Sequence, residues 1–247
     1  MLPIFTPMQW ILAGVAAFCI GFSKSGFPGA GLVTVLIMAK LFGARESTGA
    51  LLPMLICGDI LSVSVFHQHA RWAPIRRMLP PYMIGVIAGW ALMLRLPGRA
   101  FGPIIGWIVL IMVILQVTRR WRPQWYGNLP HTHSFACAMG LTAGVATMLA
   151  NAAGPITGLY FLATSTPKFE LVGTSGWLFL IVNTFKVPFS AQLGLIHGMT
   201  LMFDLILIPV IALGIFTGRR LMPVIPQNLF DTLLLAFATV AAVRMIW

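Results

Sequence analysis

Charged residues are scarce in this chain of 247 residues, and acidic residues are the scarcest of all. Only 9% of the residues are Asp, Glu, Lys or Arg, and Asp and Glu together number 5. A soluble domain carries about a quarter charged residues, so the composition excludes a water-soluble globular protein. In contrast, 59% of the residues are hydrophobic and the mean hydropathy is +0.92. Apolar runs of about 20 residues suit a hydrocarbon core about 30 Å thick. We therefore expect an all-α polytopic protein of the cell membrane.

Residues that build common catalytic or metal sites are also few. The 3 cysteines, Cys19, Cys57 and Cys137, lie singly inside apolar segments, so neither a disulfide framework nor a metal cluster is indicated. The chain has no P-loop and no His-Glu-x-x-His string. We therefore expect no metal, no cofactor and no enzymatic activity, and a membrane-embedded enzyme is a remote alternative. The segment 1–10 lacks a basic stretch, so no cleaved signal peptide is expected.

The charge that is present is mostly basic. Lys and Arg number 16, which gives a formal net charge of +11. These residues fall mainly at the ends of apolar runs, so they indicate membrane topology rather than a nucleic-acid partner.

Six apolar runs predict simple membrane spans, and two longer runs are interrupted. The simple spans cover about 47–66, 75–94, 100–118, 171–191, 198–217 and 229–246. The longer elements cover about 10–41, broken at 23–31, and about 134–164, broken at 151–155. An unbroken helix of either length would measure about 45 Å, which is too long for one crossing and too short for two. Two short half-helices that meet at each break, as a re-entrant hairpin, fit this length.

The chain carries an internal duplication. The two matching strings are Glu46-x-x-Gly49 followed by Asp59, and Glu170-x-x-Gly173 followed by Asn183. We expect a first membrane repeat at 1–122, a linker at 123–133 and a second repeat at 134–247. Each repeat would contain one broken hairpin and three transmembrane helices, within a single membrane domain.

The arginines indicate how the repeats are threaded. The clusters within 71–77 and 119–122 are separated by two simple spans, so they share one face, which the positive-inside rule makes cytoplasmic. Arg219 and Arg220 join that face only if the second broken element returns to the side from which it entered. That threading makes the repeats inverted, and we favour it. If each broken element instead crosses once, the repeats are parallel. Arg95 and Arg99 fall outside in both cases.

The two breaks predict a substrate site. Backbone away from helical pairing is tolerated at membrane depth only where protein or a wet cavity satisfies its polar groups. Free N–H groups at a half-helix N-terminus attract anions, and glycine lets a ligand approach closely, although glycine also serves helix packing. The predicted substrate-binding residues are Ser23, Lys24, Ser25, Gly26, Gly29, Gly31, Asn151, Gly154, Pro155, Thr157, Asn183 and Lys186.

Charges inside apolar segments are costly, so they are functional candidates by default. Lys186 lies one turn after Asn183 on the same face, and together they could hold an oxyanion. We prefer Lys186 to Lys24 as the counter-charge, because the depth of Lys24 within its break is not fixed. Asp59 lies near mid-depth, with a coupling role or a structural pair to a lysine as the alternatives. The predicted coupling or gating residues are Asp59, Gln68, Gln192 and Asp204, of which Asp204 could instead be reached by water or a snorkelling partner.

These strings resemble the TauE/SafE family, also called the sulfite exporter family. The resemblance rests on the segment 21–31, the Glu46 to Asp59 string, Gly85-x-x-x-Gly89, the Leu96-Pro97-Gly98 turn, and the echoes at 173–183 and 225–226. It covers nearly the whole chain, and the order of the motifs carries more weight than any one of them. It implies a polytopic protein with a duplicated unit that moves small sulfur-containing or carboxylate anions, such as sulfite or sulfoacetate.

Residues and resemblance together predict a secondary transporter of small anions, with its site at mid-membrane between the two broken helices. The expected partners are the anion, the lipid bilayer and a coupling proton or sodium ion, with a homodimer left open. A passive anion channel is the nearest alternative.

Overall fold

The computed structural model describes residues 5–27, 29–122, 124, 132–163, 167–196, 198–222, and the positions 236, 239, 240, 242, 243 and 246. In these residues the fold is all-helical, with nine α-helices, two short 3₁₀ turns and no strand. The helices are α1 (Pro7–Lys24), α2 (Gly29–Phe42), α3 (Glu46–Phe66), α4 (Trp72–Arg95), α5 (Phe101–Trp121), α6 (His133–Ala150), α7 (Gly154–Ala163), α8 (Lys168–Gln192) and α9 (Gly198–Leu221). The 3₁₀ turns are His67–His69 and Gly98–Ala100.

Five of the predicted simple spans correspond to the helices α3, α4, α5, α8 and α9. By length and composition, five described segments can cross a membrane, and they contain α3, α4, most of α5, α6 and most of α9. Helix α8 is not among them; it has Asn183 and Lys186 in its interior. The predicted span 229–246 lies outside the described residues, apart from a few isolated positions, as does nearly all of the predicted linker.

Both breaks occur where the sequence departs from helix-forming residues. At the first break Gly26 has φ 110°, and at the second Asn151 has φ 51°. Such left-handed geometry is costly for most residues but is accessible to glycine and, with less strain, to asparagine. The N–H of Asn151 donates to the carbonyl oxygen of Thr147 (3.0 Å) and so closes the last turn of α6.

The chain turns back at each break. The Thr34 hydroxyl of α2 donates to the Ala16 carbonyl oxygen of α1 (3.1 Å), and the rings of Phe135 in α6 and Tyr160 in α7 lie 6.2 Å apart. Each contact joins residues that a straight continuation would separate by more than about 25 Å.

The expectation of two short half-helices is wrong for the first arm of each hairpin. Helices α1 and α6 have 18 residues each, or about 27 Å. The apolar runs continue without a breaker until the Gly-rich segments, so only the second arms, with 14 and 10 residues, are short.

Helices α3 and α8 pack antiparallel through the centre of the molecule. Near one end, Gly49 of α3 faces the carbonyl oxygen of Leu195, just beyond α8. Near the other end, Gly173 of α8 faces the carbonyl oxygen of Phe66 in α3. A Cβ at either glycine would overlap the facing oxygen, so both positions require glycine for this close approach.

Two further pairs, α1 with α9 and α4 with α6, pack in parallel through glycines that face backbone carbonyl oxygens. The facing pairs are Gly21 with Ile211, Gly214 with Phe18, Gly144 with Tyr82, and Gly85 with Leu141. The same number of residues separates Gly21 from Gly144 and Phe18 from Leu141. A second fixed spacing separates Gly85 from Gly214 and Tyr82 from Ile211. Each contact in one pair of helices therefore has a counterpart at the matching position in the other pair.

The basic helix ends gather on one side. Arg71, before α4, pairs through Nε with the Glu170 carboxylate at the start of α8 (3.1 Å). Gly26 contacts both Val172, in the first turns of α8, and Met222, just after α9. The Arg219 and Arg220 end of α9 therefore lies on the same side as the Arg71 end of α4, and Arg95 lies at the opposite end of α4.

Candidate functional site

A cavity of about 200 Å³ lies between the two breaks. The predicted residues that line it from the first half are Ser23, Lys24, Gly26 and Gly31, and those from the second half are Asn151, Gly154, Pro155 and Asn183. The other predicted substrate-binding residues, Ser25, Gly29, Thr157 and Lys186, are not in its wall.

The breaks lie at different depths. The Ser62 hydroxyl of α3 donates to the Lys24 carbonyl oxygen at the first break (3.2 Å). At the second break, the Asn151 amide nitrogen donates to the Thr48 carbonyl oxygen of the same helix (2.9 Å). Ser62 and Thr48 are about four turns apart, or roughly 20 Å. The cavity therefore extends along α3, with Asp59 between its two ends.

Lys24 and Asp59 form a buried ion pair, with Nζ 2.5 Å from Oδ1. The Lys24 side chain is 9% exposed and the Asp59 side chain is 0% exposed. The ammonium also lies 4.6 Å from the centroid of the Phe179 ring, which favours a cation. Lys24 is among the residues that line the cavity and Asp59 is not, so the lysine is the member of the pair nearer the cavity.

Asn183 connects this pair to a second buried lysine. Its Nδ2 donates to Oδ2 of Asp59 (2.7 Å), and its Oδ1 is 3.5 Å from Nζ of Lys186. An amide can donate on one side and accept on the other, whereas a second carboxylate could only accept. This requirement explains why the repeat counterpart of Asp59 is a neutral asparagine.

Lys186 is held by neutral oxygens. Its Nζ donates to the carbonyl oxygen (3.0 Å) and the hydroxyl oxygen (3.2 Å) of Thr147, and to Oδ1 of Asn151 (2.5 Å). The residue is 1% exposed and lies behind the cavity wall. The structure thus brings Lys24, rather than the preferred Lys186, to the cavity surface.

The buried charges around the cavity do not cancel. Two ammonium groups, Lys24 and Lys186, face one carboxylate, Asp59. Lys24 has its partner, whereas the acceptors that Lys186 contacts in the described residues are uncharged. With both lysines protonated, the buried groups at and behind the cavity wall carry one positive charge more than negative charge, in a medium that screens charge poorly.

The N-terminus of α7 faces the cavity. A Cβ on Gly154 would meet no atom within 4 Å, so the space beside this backbone is open. The amides of Gly154 and Ile156 have no hydrogen-bond partner in the described part of the chain. The N–H groups of Gly26 and Thr157 are already engaged, because they donate to the carbonyl oxygens of Ser23 (3.4 Å) and Ala153 (3.0 Å).

Two hydroxyls of the first break are also engaged. Ser23 Oγ donates to the Ile20 carbonyl oxygen and Ser25 Oγ to the Phe22 carbonyl oxygen, both at 2.8 Å. Such bonds satisfy carbonyls in the last turn of a helix, so Ser25 has a structural role in α1. Ser23 retains a place in the cavity wall.

The predicted gating residues do not reach the cavity. Gln68 and Gln192 are exposed at helix ends. Asp204 is 2% exposed, and neither carboxylate oxygen has a hydrogen-bond partner in the described residues. The described residues contain no group of three or more potential metal ligands.

Sequence analysis missed Ser62 and Thr147 as parts of the site. The spacing that relates α3 to α8 places Ser62 opposite Lys186, and the spacing that relates α1 to α6 places Thr147 opposite Lys24. The bond from Lys186 to the Thr147 carbonyl therefore has a counterpart in the bond from Ser62 to the Lys24 carbonyl. A full alignment of the two repeats contains this signal.

The family model of the sulfite exporter TauE/SafE matches residues 13–245, nearly the whole chain. The chain belongs to the TauE/SafE family. TauE/SafE proteins are membrane transporters and not enzymes, in agreement with the prediction from the sequence. No curated protein and no solved structure matches the chain.

Proposed function

We propose that this TauE/SafE protein is a secondary transporter that binds one small anion in the cavity between its two breaks. The observation that carries the proposal is a cavity with two buried lysines, Lys24 in its wall and Lys186 behind it, beside the single carboxylate of Asp59. The substrate class we infer is sulfite or a small organosulfur or carboxylate anion.

The donors needed by such an anion lie in or beside the wall of one cavity. An oxyanion in a site of low dielectric needs both hydrogen-bond donors and a counter-charge. The Lys24 ammonium supplies charge at the wall, and the amides of Gly154 and Ile156 supply donors at the positive end of the α7 dipole. Lys186 adds charge from behind Asn151. A cavity of about 200 Å³ suits a small anion, since pockets for drug-sized ligands begin at about 300 Å³.

The contacts between helices support an inverted repeat. Helices α3 and α8 are repeat counterparts and pack antiparallel against each other, so a twofold axis that relates them lies across the helix axes. The glycine contacts of α1 with α9 recur in α6 with α4. Inverted halves around a central site are typical of transporters that expose the site alternately to the two sides. We propose that the Arg71 side is cytoplasmic and that the protein lies in the cell membrane.

Flux measurements in proteoliposomes test this function. The panel contains sulfite, sulfoacetate, other organosulfonates and small carboxylates, each at fixed proton and sodium gradients, with protein-free liposomes as the control. We expect saturable uptake of at least one anion and accumulation when an ion gradient is imposed. Flux that never accumulates against a gradient would favour the passive channel. If no anion of the panel moves faster than in protein-free liposomes, the proposal is wrong.

A further inference from the structure

The cavity contains a cation that is already paired. Lys24 lies at the wall of the cavity, and Asp59 lies behind it, with Nζ and Oδ1 2.5 Å apart. An anion that enters the cavity therefore meets the ammonium before it meets the carboxylate. It must either share Lys24 with Asp59 or replace Asp59.

We propose that the substrate anion replaces Asp59 at the Lys24 ammonium, and that Asp59 takes up a proton as the ion pair separates. This inference rests on the proposed function and adds its coupling mechanism. The step forms one O–H bond: a hydronium ion from the cavity water gives its proton to the Asp59 carboxylate, which leaves neutral Asp59 and water. No other bond changes.

Asp59 takes up a proton because of the groups that remain around it once Lys24 has turned away. Asp59 is completely buried, and its remaining direct partner is the neutral amide of Asn183 (2.7 Å). A buried carboxylate without an adjacent cation is very costly, and protonation removes that cost.

The other charges near Asp59 cannot replace Lys24. Lys186 of α8 acts on Asp59 electrostatically, but its Nζ is held by Thr147 and Asn151. Tyr82 of α4 interacts electrostatically with Asp59, but its phenol carries no positive charge. Asp204 of α9 acts on Cys57 and would add only negative charge.

This exchange of charges fixes the ratio of protons to anions. One singly charged anion and one proton enter together, so the buried groups keep the net charge that they had before, with the negative charge now on the anion instead of Asp59. Symport with a ratio of one to one follows, and the same carboxylate that stabilises Lys24 becomes the proton carrier. The sodium alternative gains nothing from this geometry, because a sodium ion would need several oxygen ligands.

Calorimetric titration of the purified full-length protein tests the proton count. The probes are sulfoacetate, methanesulfonate and isethionate, which stay ionised near neutral pH, so any proton taken up must be bound by the protein. Each titration is run in two buffers with different ionisation enthalpies, and the difference in the heats gives the protons bound for each anion. We expect about one proton for each anion in the wild type.

Two variants assign that proton. Asp59→Asn should bind the same probe at least as tightly as the wild type, because Lys24 is released, and should take up no proton. Glu170→Gln is the matched control, since it also converts a carboxylate to an amide but lies in the ion pair with Arg71 at the helix ends. It should retain the wild-type proton count.

The outcomes separate the two proposals. Anion binding without proton uptake by the wild type would overturn the inference and leave the proposed function in place, and that result needs no variant that might fold poorly. An unchanged proton count in folded Asp59→Asn would overturn it as well. No binding of any probe, together with no flux of sulfite or carboxylates, would overturn the proposed function and this inference with it.

Discussion

At the scale of single residues, the two buried lysines differ in what holds them. Lys24 has an acidic partner and a place in the cavity wall, whereas Lys186 has neutral partners and lies behind it. Substituting each lysine separately and measuring the affinity for the anion therefore distinguishes a lysine that contacts the anion from one that acts at a distance.

Lys24→Met should weaken binding of the transported anion by about tenfold or more, in line with the roughly 1.5 to 3 kcal/mol of a charge-assisted hydrogen bond. The measurement is the affinity from competition binding or from the half-saturation of flux. Lys40→Met is the matched control, because Lys40 is exposed at the end of α2, and it should leave the affinity unchanged. Equal affinities in Lys24→Met and the wild type would remove Lys24 from the site.

Lys186→Met should lower both affinity and stability. The substitution removes a buried lysine from behind the cavity wall, and it leaves the Asn151 amide oxygen without its donor. The Thr147 carbonyl loses one of its two donors and keeps the Asn151 N–H. A buried acceptor without a partner costs about 1 to 3 kcal/mol. Thermal unfolding in detergent should therefore shift to lower temperature. A variant with the melting temperature and the affinity of the wild type would contradict both roles.

The residue types of the site were predictable, but the pairing between them was not. Sequence spacing predicted that Asp59 and Asn183 are counterparts, and it placed Lys186 one turn after Asn183. It could not show that the counterparts touch, because repeat spacing says nothing of how far each helix lies from the symmetry axis. Nor could it show that Lys186 turns towards Thr147.

At the scale of helices, the glycines that look alike in the sequence have different surroundings. A Cβ at Gly21 of α1 would overlap the Ile211 carbonyl oxygen of α9, whereas a Cβ at Gly14 of the same helix would meet nothing within 4 Å. Transmembrane helices use many glycines for packing, so the sequence identified the class of residue without identifying which glycines were in contact. The first arm of each hairpin was expected to be a short half-helix. The break residues showed where that arm ends in the sequence, but they did not show how far into the membrane it extends.

Gly21→Ala should therefore destabilise the protein by about 1 to 3 kcal/mol, the usual cost of overpacking, because backbone on both sides of the contact must separate. Gly14→Ala is the control within the same helix, and it should be neutral or slightly stabilising, as alanine is the better helix former. Unfolding in detergent, followed by circular dichroism, measures both. If the two variants unfold alike, α1 and α9 do not pack as described.

At the scale of the whole molecule, the proposed inverted repeat predicts on which side of the membrane each arginine lies. Arg76 and Arg219 should lie on the same side of the membrane, because the start of α4 and the end of α9 lie on the same side of the molecule. Arg95, at the other end of α4, should lie on the opposite side. Single cysteines at these three exposed positions, in a chain without its three natural cysteines, can be labelled with an impermeant maleimide. Labelling of Arg76→Cys and Arg219→Cys from opposite sides would require parallel repeats.

Under the proposed proton coupling, the pair of Lys24 and Asp59 also determines how transport responds to the membrane voltage. With one proton accompanying each anion, a singly charged substrate moves no net charge, and its transport is indifferent to the membrane potential. A doubly charged anion such as sulfite still carries one negative charge with its proton. A potential that is negative inside drives that charge outward by about 2.3 kcal/mol for each 100 mV. One buried ion pair would then make the same protein a voltage-driven exporter of dianions and a pH-driven carrier of monoanions.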